Sequence, residues 1–332
     1  MSVGSWRRAE AAAPLKLAVV GIGGAGCNMI TNIKRTGFSD AKLIAVNTDA
    51  ASLNASKADH KVLAGESFLG GRSARTVENG KKAMESVKEN LVSMLSDREV
   101  IVLLAGLGGG AGTGGIVTLA EAIKESLPNA LTISYVVIPF SGEGEVRINN
   151  AKYGLSEVID LSDVTWVAFN DVLKRKYTNV PLTRAYKMMD DRLINVVKGL
   201  ASLQNLSPLP GMQNVDFAIM KEIAKGSGLG YAGFGEGRTT REAFEASLVD
   251  PFGDADLKRA KGVTGILECA ETAVSVEGMT YVQEMLTNNL GIPEVYFGLK
   301  PSIEMTSPKV TIYTFGVKSR MVEDFLSSMG GG

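Results

Sequence analysis

The feature that most constrains this sequence is a glycine-rich segment, Gly106–Gly115, which joins an apolar run to a helix-forming segment. The apolar run, residues 100–105, is typical of a buried strand, and residues 116–123 predict a helix. Glycines at a strand-to-helix turn let backbone N–H groups point toward one place, where the helix dipole adds partial positive charge. The segment therefore predicts an anion cradle suited to phosphate, with close backbone packing as the alternative explanation.

This loop has no lysine of the kind found in many phosphate-binding loops, because the sequence contains no G-x-x-x-x-G-K-[ST] motif. Phosphate binding would then depend on backbone dipoles, on the Thr113 hydroxyl and on residues elsewhere in the chain. The loop alone predicts the class of ligand, an anion such as phosphate, and does not identify the other residues of the site.

Another glycine loop lies nearer the N-terminus, at residues 21–26, after a predicted strand at residues 15–20. A helix is predicted over Cys27–Lys34, and a strand at residues 42–46 leads to Asp49. This order fits the G-x-G-x-x-G dinucleotide motif, although other nucleotide-binding βαβ units produce the same pattern. An NAD-dependent oxidoreductase is therefore an alternative function, weakened by the other glycine loop and by the lack of an evident catalytic residue in the second half.

Strands and helices alternate through the first half of the chain, which predicts a parallel sheet with helices on both faces. Ligands bind such sheets at the carboxyl ends of the strands, where both glycine loops and the segment 139–147 lie. Residues 61–75 are irregular, and one polar helix is predicted over residues 77–95. Further strands are predicted at residues 131–138 and 164–169.

A long helix is predicted over residues 182–203 and ends at the proline-containing segment 207–211. The remainder predicts a smaller α+β domain, with strands at 228–234, 262–269, 294–299 and 309–317 and helices at 240–248 and 279–290. The predicted organisation is an N-terminal tail (1–14), a Rossmann-like α/β domain (15–181), a central helix and linker (182–210), the α+β domain (211–317) and a C-terminal tail (318–332).

Composition narrows the function classes. The chain has 332 residues and a formal net charge of −1, which argues against general nucleic-acid affinity. No apolar run reaches about 18 residues, so no membrane-inserted helix is predicted. Two cysteines exclude a disulfide framework and fit a reducing cytoplasm, and the single histidine, His60, excludes a multi-histidine metal site. Cys27 is predicted to be a buried small residue and His60 a surface residue.

The order of motifs resembles the tubulin/FtsZ superfamily, and its prokaryotic cell-division GTPases of the FtsZ type more than tubulin. Two glycine loops are followed by Pro-Phe-x-x-Glu-Gly-x-x-Arg at residues 139–147, by the long helix, and by Asn-Val-Asp-Phe-Ala at residues 214–218. The resemblance covers roughly residues 15–317, and the ordered set is far more specific than any one motif.

The resemblance implies a GTP/GDP site, with Mg²⁺ as an accompanying ion. Glu143 would accept hydrogen bonds from ribose hydroxyls, Arg147 would face the nucleotide, and Tyr186 would stack on the base. Asp190 and Asn170 would contact guanine; a carboxylate accepts from guanine N1–H and N2–H₂, which adenine does not offer. The implied nucleotide-binding residues are Gly21, Gly23, Gly24, Ala25, Asn28, Asn47, Asp49, Gly108, Gly109, Gly110, Ala111, Gly112, Thr113, Pro139, Glu143, Arg147, Asn170, Tyr186 and Asp190.

The resemblance also implies self-assembly into head-to-tail filaments. Asn214 and Asp216 would complete the nucleotide site of the next subunit and position the attacking water. The expected setting is the cytoplasm at the division site, with a membrane-adaptor protein as a further partner. Nucleic acid is not an expected partner.

The chain departs from the family pattern at several places. Ile219 stands where family members carry a second loop aspartate, which favours slow hydrolysis or a nucleotide-binding regulator that does not hydrolyse GTP. Ala111 replaces a threonine, and the third phosphate loop, usually glycine-rich, contains Arg72 and Arg75. These arginines are expected either to contact the γ-phosphate or to remain solvated.

Overall fold

A computed structural model describes residues 14–209, 212–213, 215, 217–258, 260–270, 273–302 and 307–328. Its strands are β1 (Leu17–Ile22), β2 (Ala41–Asn47), β3 (His60–Leu63), β4 (Val100–Gly106), β5 (Leu131–Ile138), β6 (Val164–Phe169), β7 (Ser207–Pro208), β8 (Gly228–Glu236), β9 (Gly262–Cys269), β10 (Glu294–Pro301) and β11 (Lys309–Phe315).

Its α-helices are α1 (Gly23–Arg35), α2 (Ala50–Ala55), α3 (Glu66–Leu69), α4 (Val77–Glu85), α5 (Lys88–Leu95), α6 (Gly110–Ser126), α7 (Glu145–Leu161), α8 (Asn170–Lys176), α9 (Leu182–Ser202), α10 (Phe217–Ala224), α11 (Thr240–Leu248), α12 (Val276–Glu284) and α13 (Arg320–Ser327). No helix of the described ranges is long and apolar enough to cross a membrane.

The first half of the chain forms a parallel sheet, as predicted, and its strand order is β3-β2-β1-β4-β5-β6. Its central strands are apolar on both sides because helices cover both faces. Helices α1 and α9 pack on one face, and α4, α5, α6 and α7 pack on the other. The carboxyl ends of β1, β4, β5 and β6 therefore meet at one edge.

The second half continues the same sheet in the order β8-β11-β9-β10-β7. The junction is short, because β6 pairs with β8 only through Val164–Gly228 and Thr165–Leu229. Helix α9 supplies a further connection: Tyr313 of β11 donates a hydrogen bond to the Val196 carbonyl at 2.6 Å. A Cβ at Gly199 would lie 2.3 Å from the Tyr313 hydroxyl, so this helical glycine makes room for a contact between the halves.

Several local predictions were wrong. The region 61–75 contains β3 and α3, and the helix predicted over 77–95 is divided into α4 and α5. The division lies at Ser86, whose hydroxyl donates to the Ala83 carbonyl and accepts from the Gly65 N–H, so it competes with the helical hydrogen bonds. Helix α12 begins at Val276, three residues before the predicted start, and continues into a π-helical turn, Met285–Asn289.

The C-terminal segment predicted as a tail contains α13, which packs on the first half of the chain. Its Phe325 ring meets Phe169 edge to face at 5.9 Å. Asp254 fixes the start of this helix by accepting hydrogen bonds from Ser319 Oγ and the Met321 N–H. The segment predicted as a C-terminal tail thus includes a helix that packs on the predicted Rossmann-like domain.

Candidate functional site

The first glycine loop joins β1 to α1 at the carboxyl edge of the sheet. A Cβ at Gly21 would lie 2.2 Å from the Gly26 carbonyl oxygen, so Gly21 permits close packing of strand and helix. Gly23 has φ +71°, and a Cβ there would lie 2.8 Å from the Gly112 nitrogen. Gly24 and Ala25 are exposed beside this contact. The first loop therefore touches the second and presents open backbone next to it.

The second glycine loop is held by two side chains. Gly108, at φ +99°, donates its N–H to the Thr113 hydroxyl at 2.8 Å, and its carbonyl accepts from the Asn150 amide at 3.1 Å. Thr113 is fully buried. Its hydroxyl oxygen thus fixes the backbone of the loop, and the phosphate contact expected from sequence stays a prediction. Asn150 was not predicted; its position on α7, one turn after Arg147, is the signal that could have found it.

Close contacts on the buried side fix the same loop. A Cβ at Gly110 would lie 2.4 Å from the Thr76 carbonyl oxygen, and one at Gly112 would lie 2.4 Å from the Gly106 carbonyl oxygen. Gly109 and Ala111 are half-buried, and the nearest atom to a Cβ at Gly109 would be Arg147 Nη2 at 3.9 Å. The loop is therefore packed below and open toward Arg147.

The loop after β2 is organised by its own side chains. Asn47 is buried, and its Oδ1 accepts hydrogen bonds from the N–H groups of Thr48 and Asp49. Asp49 caps α2 by accepting from the Ser52 N–H at 2.8 Å. The structure therefore gives Asn47 and Asp49 a role in fixing this loop, beside the first glycine loop.

Arg72 and Arg75 both lie exposed in the third loop. Arg72 Nε donates to the Leu69 carbonyl, and Arg75 has φ 62°, an uncommon backbone conformation for a residue with a side chain. The Thr48 hydroxyl accepts from the Ala74 N–H at 3.0 Å, which joins this loop to the one after β2. Both guanidinium groups are on the surface of the site.

The segment after β5 forms a compact unit around Glu143. Its carboxylate accepts from the Phe140 N–H at 2.9 Å and pairs with Arg147 at 2.5 Å. The Tyr186 ring, 37% exposed, packs edge-on against Phe140 at 6.5 Å. Pro139 is buried. The structure thus brings the predicted residues Glu143, Arg147 and Tyr186 together at the start of α7 and α9.

Asp190 lies on α9, and Asn170 is the first residue of α8. Asp190 Oδ2 accepts a hydrogen bond from the Asn32 amide of α1 at 2.7 Å, and burial raises the pKa of Asp190 to about 6. Asn170 is 8% exposed, and its Oδ1 has no hydrogen-bond partner among the described residues. A buried amide oxygen without a partner is suited to accept from a ligand. Sequence reasoning did not find Asn32.

Other predicted residues lie around this region or outside the described ranges. Asn28 is exposed on the first turn of α1. Cys27 is buried, and burial raises the pKa of its thiol to about 11, which excludes a reactive thiolate near neutral pH. His60 is exposed on β3. Asn214 and Asp216 lie outside the residues that the structure describes.

Ile219 lies in the first turn of α10, partly buried against the hydrophobic core that includes Met220 and Tyr296. The nearby Glu222 is exposed. In the described part of the chain, no group of three or more His, Cys, Asp and Glu side chains could hold a metal ion.

The parallel sheet and the two touching glycine loops at its carboxyl edge are typical of a nucleotide-binding α/β protein. Residues 16–178 match the model of the Tubulin/FtsZ family, GTPase domain. The chain is 35% identical over 314 residues to cell division protein FtsZ 1 of Pyrococcus abyssi, covering 92% of this chain and 82% of that protein. The chain therefore belongs to the tubulin/FtsZ family and contains its GTPase domain.

Solved structures agree with this assignment. An empty FtsZ dimer from M. jannaschii superposes with a TM-score of 0.79 at 32% identity, covering 92% of this chain and 89% of that one. The GTPγS-bound protofilament of CetZ2 from Haloferax volcanii gives a TM-score of 0.80 at 21% identity, covering 95% and 97%, and shows the shared fold alone. The family assignment replaces the oxidoreductase alternative.

Proposed function

We propose that this protein is a GTP-binding, self-assembling cytoskeletal protein that forms head-to-tail filaments and hydrolyses GTP at the interface between subunits. The observation that carries the proposal is the contact between the two glycine loops at Gly23 and Gly112, with exposed backbone at Gly24 and Ala25 beside it. Backbone N–H groups at two helix N-termini, α1 and α6, would bind the phosphates.

The base end of the same site supports guanine over adenine. Asp190 would accept from guanine N1–H and N2–H₂, and the unpaired Asn170 Oδ1 is buried on the neighbouring α8. Tyr186 would stack on the base, and Glu143 would bind the ribose hydroxyls. Arg147, half-exposed and near Gly109, would supply positive charge to the phosphates.

We further propose that Mg²⁺ accompanies the nucleotide. This ion commonly binds through substrate phosphates, waters and one or two carboxylates, and it would neutralise charge that develops on the phosphates during transfer. The chain's own contribution is to hold the phosphates on the backbone of the two glycine loops.

The length of α9 supports an active site shared by two subunits. Its 21 residues span about 32 Å, from Leu182 beside the nucleotide site to Ser202. The segment that follows, with Asn214 and Asp216, therefore starts far from the nucleotide site of its own chain. A head-to-tail contact, which is heterologous and does not close, would bring it to the nucleotide of the next subunit.

The test of this proposal is phosphate release from GTP as a function of protein concentration. The rate per subunit should rise with concentration, since each site needs a neighbour. Asp216→Ala should lower the rate about 100-fold or more, because it removes a group that positions the attacking water, while GDP binding stays unchanged. Turnover that is independent of concentration and insensitive to Asp216→Ala would overturn the shared site.

A second candidate keeps GTP binding and assembly but has weak or no hydrolysis. It is favoured by Ile219, whose side chain packs on the hydrophobic core and cannot polarise water. Light scattering with GTP and with a non-hydrolysable analogue, measured beside phosphate release, separates the two. Equal assembly with both nucleotides and no phosphate release would select the second candidate.

Cell division is the cellular role we propose, in the cytoplasm at the division site. The support is the likeness to cell division protein FtsZ 1 of Pyrococcus abyssi. A membrane-adaptor protein as partner is a further proposal that rests on the family resemblance alone. Localising a fluorescent fusion relative to the constriction would test the role, and filaments away from that site throughout the cell cycle would contradict it.

A further inference from the structure

Two side chains of helix α1, Arg35 and Asn32, form a chain of hydrogen bonds that ends at the Asp190 carboxylate of α9. The Arg35 guanidinium donates to Asn32 Oδ1 at 3.3 Å, and Asn32 Nδ2 donates to Asp190 Oδ2 at 2.7 Å. The charged donor fixes the orientation of the amide, since its oxygen must face Arg35 and its nitrogen must face Asp190. Asp190 Oδ1 accepts no hydrogen bond from the described residues.

This chain of hydrogen bonds lies on the face of α1 that leads to the phosphate loop. Asn28 and Asn32 are four residues apart, so they share one face of the helix, and Asn28 is exposed one turn closer to Gly24 and Ala25. The same helix therefore contributes backbone N–H groups at its start and a side-chain donor one turn later. Helix α1 would therefore act on the phosphates of a bound nucleotide through its backbone and on the base through Asn32 and Asp190.

We propose that Asn32 is a positioning residue that keeps Asp190 ionised and leaves its second oxygen directed to the guanine edge. This inference rests on the proposed guanine-nucleotide site. It assigns to α1 a part in base selection in addition to phosphate binding. Arg35 acts one step further away, by orienting the Asn32 amide.

The groups around Asp190 make this role necessary. Burial is the largest influence and raises the pKa of Asp190 to about 6, while the hydrogen bond from Asn32 opposes the rise. On its own helix, Asp191 raises that pKa and Lys187 lowers it. From β5, the Tyr135 hydroxyl also lies within the electrostatic reach of Asp190. Without Asn32, the carboxylate would bind a proton at a higher pH and lose the acceptor that guanine requires.

The experiment measures equilibrium binding of GDP and IDP between pH 5 and 8. IDP lacks the N2 amino group but carries the same diphosphate, so the ratio of the two affinities cancels titration of the phosphates. The variants are Asn32→Leu, which removes the donor, and Asn32→Asp, which keeps the shape but replaces the donor with an acceptor. Asn90→Leu, an exposed asparagine of α5, is the matched control.

The wild type should prefer GDP above about pH 6 and lose that preference below it, because the protonated carboxyl accepts fewer hydrogen bonds. Asn32→Leu should weaken GDP binding about tenfold at pH 7 and move the midpoint up by roughly one pH unit. Asn32→Asp should weaken GDP binding further, through repulsion between like charges. Asn90→Leu should match the wild type.

Two results would overturn the inference and leave GTP binding intact: wild-type pH profiles in both Asn32 variants, or unchanged GDP affinity in Asp190→Asn. Failure of the wild type to bind GDP would overturn the proposed function together with this inference. Rescue of the wild-type midpoint by Asn32→Asp would show that shape, and not the donated hydrogen bond, is what Asp190 needs.

Discussion

The two ends of the site are built from different parts of the chain. At the proposed phosphate end, peptide groups of the two glycine loops would bind the ligand, and close packing behind Gly110 and Gly112 fixes the second loop. At the proposed base end, the candidate groups are side chains of three separate helices, Asn32 on α1, Asn170 on α8 and Asp190 on α9, of which Asn32 and Asp190 share a hydrogen bond. Substitutions that add atoms are therefore expected to disrupt the phosphate end. Substitutions that remove hydrogen-bonding groups are expected to weaken nucleotide binding at the base end.

The largest expected effect comes from adding one methyl group at the phosphate end. Gly112→Ala would bring a Cβ to 2.4 Å from the Gly106 carbonyl oxygen, which forces the backbone apart. We expect a loss of about 3 kcal/mol in the free energy of unfolding, measured by urea denaturation. Gly24→Ala is the matched control, because no atom lies within 4 Å of its Cβ; it should be neutral or slightly stabilising. Equal losses in both variants would contradict the account of the loop.

A smaller effect, an increase in the rate of phosphate release, is expected from changing Ile219 on α10. Ile219→Asp should raise phosphate release about tenfold, because a carboxylate at this position would position water at the proposed shared site. It should also cost about 1–2 kcal/mol of stability, since Ile219 packs on the hydrophobic core. Ile223→Asp is the control, because Ile223 packs on the same core one turn later. A similar rate in both variants would show that position 219 does not limit hydrolysis.

The smallest expected effect is at the edge of the base end. Tyr186→Ala should weaken GDP binding about fivefold, because the half-exposed ring would lose roughly 1 kcal/mol of stacking on the base. Tyr186→Phe keeps the ring and should bind GDP as the wild type does. The measurement is isothermal titration calorimetry with GDP. A loss in the phenylalanine variant as large as in the alanine variant would assign the contact to the hydroxyl and not to stacking.

The contrast between the two ends also explains what the sequence could reveal. The glycine loops, the parallel sheet and the long helix are local patterns, so their existence and order could be predicted from the chain alone. The contribution of Thr113 to the loop could not be predicted in this way, because the hydrogen bond from the Gly108 N–H to its hydroxyl forms only in the folded loop. Composition and periodicity did not predict the C-terminal helix α13, whose Phe325 packs against Phe169.

The base end was accessible only through the family resemblance. Asp190 and Tyr186 were named because their positions match the family, whereas Asn32 lies 158 residues from Asp190 in sequence and no motif connects them. Asn150 was missed for a similar reason, since its partner Gly108 lies 42 residues away and belongs to another element. Side-chain contacts between distant segments can be identified only from the folded structure, whereas backbone turns can be predicted from consecutive residues.

The central claim is that each active site is shared by two subunits, and mixing two inactive variants tests it directly. Asp190→Asn would lack a competent nucleotide site, and Asp216→Ala would lack the group that acts on the neighbour's nucleotide. In an equimolar mixture, about one quarter of random head-to-tail contacts would join an intact site to an intact Asp216. The account predicts that phosphate release returns to about one quarter of the wild-type rate, whereas a mixture as inactive as each variant alone would contradict it.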